Sequence, residues 1–383
     1  MTYIFFAAIF LIVYAFALYP YVLKLLAAIF RNPPRKDINF KPSVSIVISA
    51  FNEERIIERA LRSIFDSDYP REKIEVLVGS DGSTDATEEI VSLLERELPS
   101  LKLYKFPRTG KNGVLNSITP RATGEIILYM DADVRLQPDT ISVLVANFAD
   151  GRVGAAIAAM SQIDESDNSN SGRIGETLYQ SYEHDIRIME SVVWTTVNSL
   201  GAFYGVRRAD YAPLPNDMVC DDFMPLLTVS LMRKRVIFDP AAKVLEVREK
   251  SLSDELARRA RVASGAMSTV WAAKKLLLPN YGVYSFFLWS HKILRWLSPF
   301  FLIIILCTNL FLLNHGSFFI ATFVAQATFY ALSLAGLVAE KFGKAPKALK
   351  IPAYAVTMNY GFLLAFHRFL SGKSTSRWER STF

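Results

Sequence analysis

Apolar positions fall into three regimes along the chain. Residues 2–23 form one uncharged, almost wholly apolar run, which as a helix is long enough to cross a hydrocarbon core of ~30 Å. From 44 to about 273, short apolar runs alternate with amphipathic stretches. That alternation predicts βα units, hence an α/β domain around a Rossmann-like, mostly parallel sheet. Strands are expected at 44–49, 74–78, 101–106 and 125–130, helices at 53–65, 84–97 and 111–118, and a further helix opened by Pro138 in its favoured first turn. A polar loop rich in Ser, Asn and Asp follows at 164–171.

Past Leu278 the chain becomes apolar again. The stretch 281–296 mixes Trp289, His291, Lys292, Arg295 and Trp296 with large apolar residues, the composition of a helix lying at a membrane interface. Three more spans are expected at 298–313, 318–338 and 351–366. The chain therefore divides into an N-terminal transmembrane anchor (1–30), a linker marked by Pro33 and Pro34 (31–42), the α/β domain (43–278), an interfacial helix (279–297), C-terminal membrane segments (298–370) and a basic tail (371–383). No Lys or Arg precedes the first run and no small-residue cleavage site follows it, which argues against a signal peptide.

Composition supports a membrane protein. Of 383 residues, 51% are hydrophobic, above the usual share in soluble chains, and the surplus lies at the two ends. The net charge of +6 comes with no stacking-aromatic or zinc pattern, so the expected partner is a lipid bilayer and not nucleic acid. Cys220 and Cys307 stand far apart, which excludes a disulfide framework and fits a reducing compartment. Lys24, Arg31, Arg35, Lys36 and Lys41 follow the first span, placing the domain on the cytoplasmic face of a cell membrane in a multi-pass arrangement. One conflict stays open: three later crossings put the tail outside, yet it carries Arg368, Lys373, Arg377 and Arg380. A re-entrant last segment, a failure of the charge bias here, or a hairpin of the interfacial helix with the next segment would remove it.

Candidate chemistry sits where apolar runs stop. The run 126–130 ends in Asp131-Ala132-Asp133. In extended chain the two carboxylates share one side, a costly arrangement unless a hard cation such as Mg²⁺ or Mn²⁺ lies between them; a solvated turn is the plain alternative. The first strand runs into Ala50-Phe51-Asn52-Glu53, where Asn52 also suits a helix N-cap. The second ends in Gly79-Ser80-Asp81-Gly82-Ser83, so polar groups appear at the carboxyl ends of successive strands, where open α/β sheets bind ligands. Lys111, in Thr109-Gly110-Lys111-Asn112-Gly113, stands at a helix start, where it can meet a phosphate oxygen or simply be solvated.

In this order and spacing, the strand followed by Asn-Glu, Ser-Asp-Gly-Ser-Thr-Asp, Gly-Lys-Asn-Gly-Val-Leu-Asn and Met-Asp-Ala-Asp-Val resemble the family 2 glycosyltransferases with a GT-A fold, from about residue 43 to 273. The resemblance implies a UDP-sugar donor with its uridine held by Ala50, Asn52, Glu53 and Asp81. Lys111 would line the pyrophosphate, Asp131 would lie beside ribose and donor, and Asp133 would be the principal ligand of Mg²⁺ or Mn²⁺. It also implies a base in Cys220-Asp221-Asp222-Phe223: Asp222 would take the proton of the attacking acceptor hydroxyl, with Asp221 in support, because inverting transfer is an in-line displacement. A helix N-cap pair is the competing reading of those aspartates. Gly201-Ala202-Phe203-Tyr204 resembles the segment beneath the acceptor site, with room at Gly201 and an aromatic surface in Phe203 or Tyr204, although a buried strand has the same pattern. Arg258 and Arg261, one helical turn apart, stand where processive members carry Gln-x-x-Arg-Trp, which is absent here; they are candidates to neutralise a leaving diphosphate. The expected activity is metal-dependent sugar transfer with inversion to a saccharide or lipid-linked acceptor. A non-catalytic nucleotide-sugar binder and a processive synthase are the alternatives.

Overall fold

The structure, a computed structural model, describes residues 1–163, 174–215, 218, 220–247, 255–342 and 346–372, with the side chains at 162–163, 174–178, 247, 255–259, 340–341 and 347 outside the description. The polar loop expected at 164–171 lies outside the described residues.

Among the described residues, eight strands form one sheet: β1 (Val44–Ala50), β2 (Ile74–Asp81), β3 (Leu101–Phe106), β4 (Ile126–Met130), β5 (Val134–Leu136), β6 (Val153–Ile163), β7 (Phe203–Arg207) and β8 (Arg235–Val247). Their order is β3-β2-β1-β4-β7-β6-β8-β5. The N-terminal half is parallel, as expected, with β1 between β2 and β4. Beyond β4 two strands reverse, so the sheet is mostly parallel but mixed: β7 runs antiparallel to both β4 and β6, and β5 antiparallel to β8, while β6 and β8 are parallel. The sheet also curls. Met130 and Val134 are joined by a link that reaches at most ~14 Å, whereas strands four places apart in a flat sheet would lie ~19 Å apart.

Central strands read as unbroken apolar runs because both faces are covered. Ile46, Ile48, Val76, Val78 and Leu128 pack with Ile57, Leu61 and Ile64 of the Ile57–Phe65 helix. Val47, Leu77 and Ile127 point the other way and pack with Val114, Leu115 and Ile118 of the Lys111–Ile118 helix, the period-2 alternation of a strand. That helix sits so close that a Cβ on Gly79 would lie 2.3 Å from Val114 Cγ1. It is thereby fixed over the carboxyl ends of the strands, with Lys111 at its start.

Among the described residues, three helices are long and apolar enough to cross a membrane: Thr2–Ile29, Ser298–His315 and Ser317–Ala339. The stretch 351–366, expected as a further crossing, falls outside those three. The Lys347–Leu370 helix forms but is not among them; it carries Lys350, His367 and Arg368, and its Ala365 joins the same core as Met267 and Val270 of the Glu255–Ala272 helix. The expected interfacial helix is continuous from 283 to 296. Its polar residues turn inward: His291 is 1% and Arg295 3% exposed, because both meet carboxylates of the Ile174–Val193 helix.

Candidate active site

Four aspartates converge at the carboxyl end of β4. The β4–β7 pairing continues one step past the strand, with Asp131 N donating to Ala202 O at 3.1 Å, and this holds the Asp131-Ala132-Asp133 link against the chain leading into β7. Across it, Lys111 Nζ lies 2.7 Å from Asp131 Oδ1 and 2.8 Å from Asp221 Oδ2. One ammonium thus joins the β4 carboxylate to the distant Asp221-Asp222 pair. Lys111 was expected beside a pyrophosphate; here it is the tie between the two acidic segments.

Asp222 occupies the N-cap position of the Phe223–Leu231 helix, yet its side chain makes no capping hydrogen bond. Ser199 Oγ donates to its Oδ2 at 2.5 Å instead. Gly201, at φ 74°, leaves the other approach open: a Cβ there would lie 3.1 Å from the same oxygen. The backbone conformation and the close approach both require glycine. The capping explanation of Asp222 therefore fails on geometry, and a carboxylate aimed off its helix remains.

Electrostatics follow from this crowding. Burial raises Asp131 to about 6, with Lys111 opposing the rise. Asp133 goes further, to about 8, through burial and then the charges of Asp131, Glu246 and Glu53. Glu246 arrives through register, since Val134 of β5 pairs with it on β8. Asp222 is raised by burial and by Asp221, while the Ser199 hydrogen bond pulls it down. An excess of hard oxygen donors around Asp133, short of positive charge, suits a divalent cation. No three His, Cys, Asp or Glu side chains among the described residues already form a ligand cluster, so water or substrate oxygens would have to complete the coordination.

At the neighbouring strand ends, Asn52 adopts φ 56° and exchanges hydrogen bonds with Thr84, its Oδ1 accepting from Thr84 N at 2.8 Å. It is not a helix cap, because the helix begins at Ile57. Ala50 is buried, and Glu53 N donates to Thr87 Oγ1 at 2.7 Å, so the loop after β1 is stapled to the loop after β2. Asp81, 1% exposed, accepts from Thr109 N at 2.6 Å, from Gly110 N at 2.9 Å and from Arg108. Its carboxylate is engaged by the loop before Lys111. The Arg108 guanidinium also lies 3.4 Å from the Phe51 ring centre. Nothing in the sequence singled out Arg108, Ser199 or Glu246; Ser199 lies two residues before Gly201, in the one segment whose spacing pointed there.

Two expectations change. Phe203 and Tyr204 are 1% and 2% exposed; Phe203 belongs to one core and Tyr204 stacks on Tyr129 with ring centres 4.9 Å apart. They are sheet core and offer no face to an acceptor. Arg258 lies on the Glu255–Ala272 helix with its side chain outside the description. Arg261, one turn on, acts with Lys292 on the Cys220 thiol against Asp221 and Asp222, which places it on the Asp222 side of the site.

Comparisons with known proteins agree with this geometry. Residues 45–211 match the model for glycosyl transferase family 2. Beta-monoglucosyldiacylglycerol synthase of Nostoc is 36% identical over 117 residues, 30% of this chain and 25% of that protein. GalNAc(5)-diNAcBac-PP-undecaprenol beta-1,3-glucosyltransferase of Campylobacter jejuni is 28% identical over 112 residues, 29% of this chain and 36% of that protein. The chain thus matches only about a quarter to a third of such relatives' length. The mannosyltransferase PcManGT from Pyrobaculum calidifontis, in complex with GDP-Man and Mn²⁺, superposes with a TM-score of 0.74 at 24% identity over 97% of this chain and 99% of that one, so the whole fold recurs there, terminal helices included. The strand ends that carry Asp81, Lys111, Asp131 and Asp133 all lie inside the segment that resembles glycosyl transferase family 2, on a GT-A-like fold.

Proposed function

We propose that the protein transfers a sugar from a nucleoside diphosphate sugar to an acceptor hydroxyl with inversion, at the cytoplasmic face of a membrane. The observation that carries this reading is the Lys111 bridge between Asp131 and Asp221, which brings the donor-side aspartates and the Asp222 carboxylate into one site. Asp222 takes the acceptor proton as the hydroxyl attacks; Ser199 fixes the carboxylate's rotamer, and Gly201 keeps the space in front of it clear. Asp133, with Asp131, would hold Mg²⁺ or Mn²⁺, which when bound supplies Lewis-acid charge to the departing diphosphate. The Mn²⁺ and GDP-Man of the Pyrobaculum structure support a metal and a nucleotide sugar; the base of the donor is uridine by the strand-end motifs and guanosine by that neighbour.

Glycolipid synthesis is supported by the names of the Nostoc and Campylobacter relatives. On this reading, with Thr2–Ile29, Ser298–His315 and Ser317–Ala339 as the crossings, the Lys347–Leu370 helix lies on the domain's side of the membrane, which would ease the parity conflict of the sequence pattern. The test is to incubate membranes containing the protein with radiolabelled UDP- and GDP-sugars and sort the label into organic-soluble lipid and retained polymer. Label in neither fraction with any donor overturns the reading.

A further inference from the structure

Ser199 and Gly201, which set the Asp222 carboxylate, lie in a stretch without regular structure. Residues 194–202 are neither helix nor strand between the Ile174–Val193 helix and β7. Such a stretch keeps one shape only through the partners of its backbone and side chains. Thr196 N donates to Val236 O at 2.9 Å, and Glu190 Oε2 accepts from Thr196 Oγ1 at 2.9 Å and from Val197 N at 3.2 Å. Asn198, 8% exposed, comes next. Its amide is held at both ends: Nδ2 donates to Glu183 Oε2 at 2.9 Å, and Oδ1 accepts from Lys292 Nζ. A lysine only donates and a carboxylate only accepts, so the amide satisfies both in one orientation alone. Ser199 follows directly and gives its hydroxyl to Asp222.

These partners come from elements beside the apolar ends of the chain. Lys292 belongs to the 283–296 helix, which leads into Ser298–His315, one of the helices long enough to cross a membrane. The same helix places His291 Nδ1 2.7 Å from Glu190 Oε1 and His291 Nε2 2.9 Å from Glu183 Oε2, and pairs Arg295 with Glu183. Glu190 also accepts from Tyr19, on the Thr2–Ile29 span, at 2.8 Å. The carboxylates that carry residues 196–198 are therefore themselves fixed from that side. Lys292 does more than hold Asn198. Its Nζ stands 5.8 Å from the centre of the Phe223 ring, so one side chain meets both the residue before Ser199 and the residue after Asp222.

We infer that Lys292 and Asn198 are positioning residues for the base: Lys292, through the Asn198 amide, sets Ser199 against Asp222, so that the helix leading into the C-terminal apolar segments fixes the geometry of proton removal. Both act through Ser199 and not on the substrate. The inference rests on the transferase reading of Asp222.

The test uses the full-length protein in membranes, with the radiolabelled UDP- or GDP-sugar that the wild type transfers. Asn198→Ala should lower kcat about tenfold and leave the donor KM within about twofold of wild type, the pattern of a lost orienting contact. In a Ser199→Ala background the same change should cost nothing further, because the contact through which it acts is already gone. Lys292→Met should lose a smaller part of kcat, again only while Ser199 is present, and Lys292→Arg, which keeps a donor, should recover it. Lys292→Met removes only a partly exposed side chain, so it carries the test if Asn198→Ala fails to fold. Unchanged kcat in these variants, losses that multiply with that of Ser199→Ala, or a rise in donor KM in place of a fall in kcat would each overturn the inference while leaving the transferase reading intact. Transfer absent from the wild type with every donor would instead remove that reading, and the positioning role with it.

Discussion

Ser199 and Asp222, from opposite sides of β7, meet in a 2.5 Å hydrogen bond that replaces the cap Asp222 would otherwise make to its own helix. The bond orients the carboxylate and lowers its proton affinity against the rise imposed by burial and Asp221. Ser199→Ala removes that opposing effect, so the Asp222 pKa rises further. A base works when deprotonated; the acid limb of kcat/KM therefore moves to higher pH, and kcat at neutral pH falls about tenfold. A pH–rate profile checks this, and an unmoved acid limb would separate Ser199 from the base.

Asp222→Asn keeps the shape and loses the proton acceptor. Transfer should drop at least ~100-fold while nucleotide still binds in the presence of Mn²⁺. Calorimetric titration beside a transfer assay separates the two quantities, and near-normal turnover in this variant would remove Asp222 from its role.

Asp133 predicts a trade between stability and metal binding. Its carboxyl, raised to about 8, stays protonated in the fold after the unfolded chain has ionised, so stability falls as pH rises from about 4 to about 8. Asp133→Asn abolishes this loss: at pH 8 without metal the variant should melt about 2–4 °C higher, and below pH 4 it should match the wild type. The same variant should lose Mn²⁺-dependent nucleotide binding, and chelation of the wild type should do likewise.

Gly201→Ala tests the cleared space. At φ 74° an added Cβ is strained, and it would sit 3.1 Å from Asp222 Oδ2. The variant should lose on the order of 1 kcal/mol of stability and lose kcat more than donor affinity. A fall confined to stability would mean that the carboxylate is not displaced.

His291 lies between two buried carboxylates. His291→Ala leaves Glu190 to hydroxyl and amide donors and Glu183 to Arg295, a change that costs about 3–5 kcal/mol for a buried pair that loses one partner, so its denaturation midpoint should fall well below that of a surface control such as Arg62→Ala. Arg62 makes only exposed ion pairs.

Local patterns carried much of the fold. β3 and the Lys111–Ile118 helix lie where apolar spacing put them, because each buries a face whose period is visible in the residues themselves. Helix starts were set too early: the loops after β1 and β2 are tied to each other through Asn52 and Thr84, a long-range contact that delays both helices and has no local signature. Phe203 and Tyr204 show the same limit from the other side. An aromatic pair on a strand reads equally as a binding face or as core, and only the pairing of β7 between β4 and β6 buries it.

The sequence by itself determined which residue types stand at strand ends, the aspartates, the lysine and the glycines, since a strand's apolar run must stop where the sheet's edge opens to water. Tertiary structure alone decided their partners. That Lys111 would join Asp131 to Asp221, that Glu246 would crowd Asp133 and that Ser199 would hold Asp222 all depend on a curled, mixed sheet. Strand order and direction beyond β4 follow from summed packing over the whole domain, and no short stretch of residues encodes that sum.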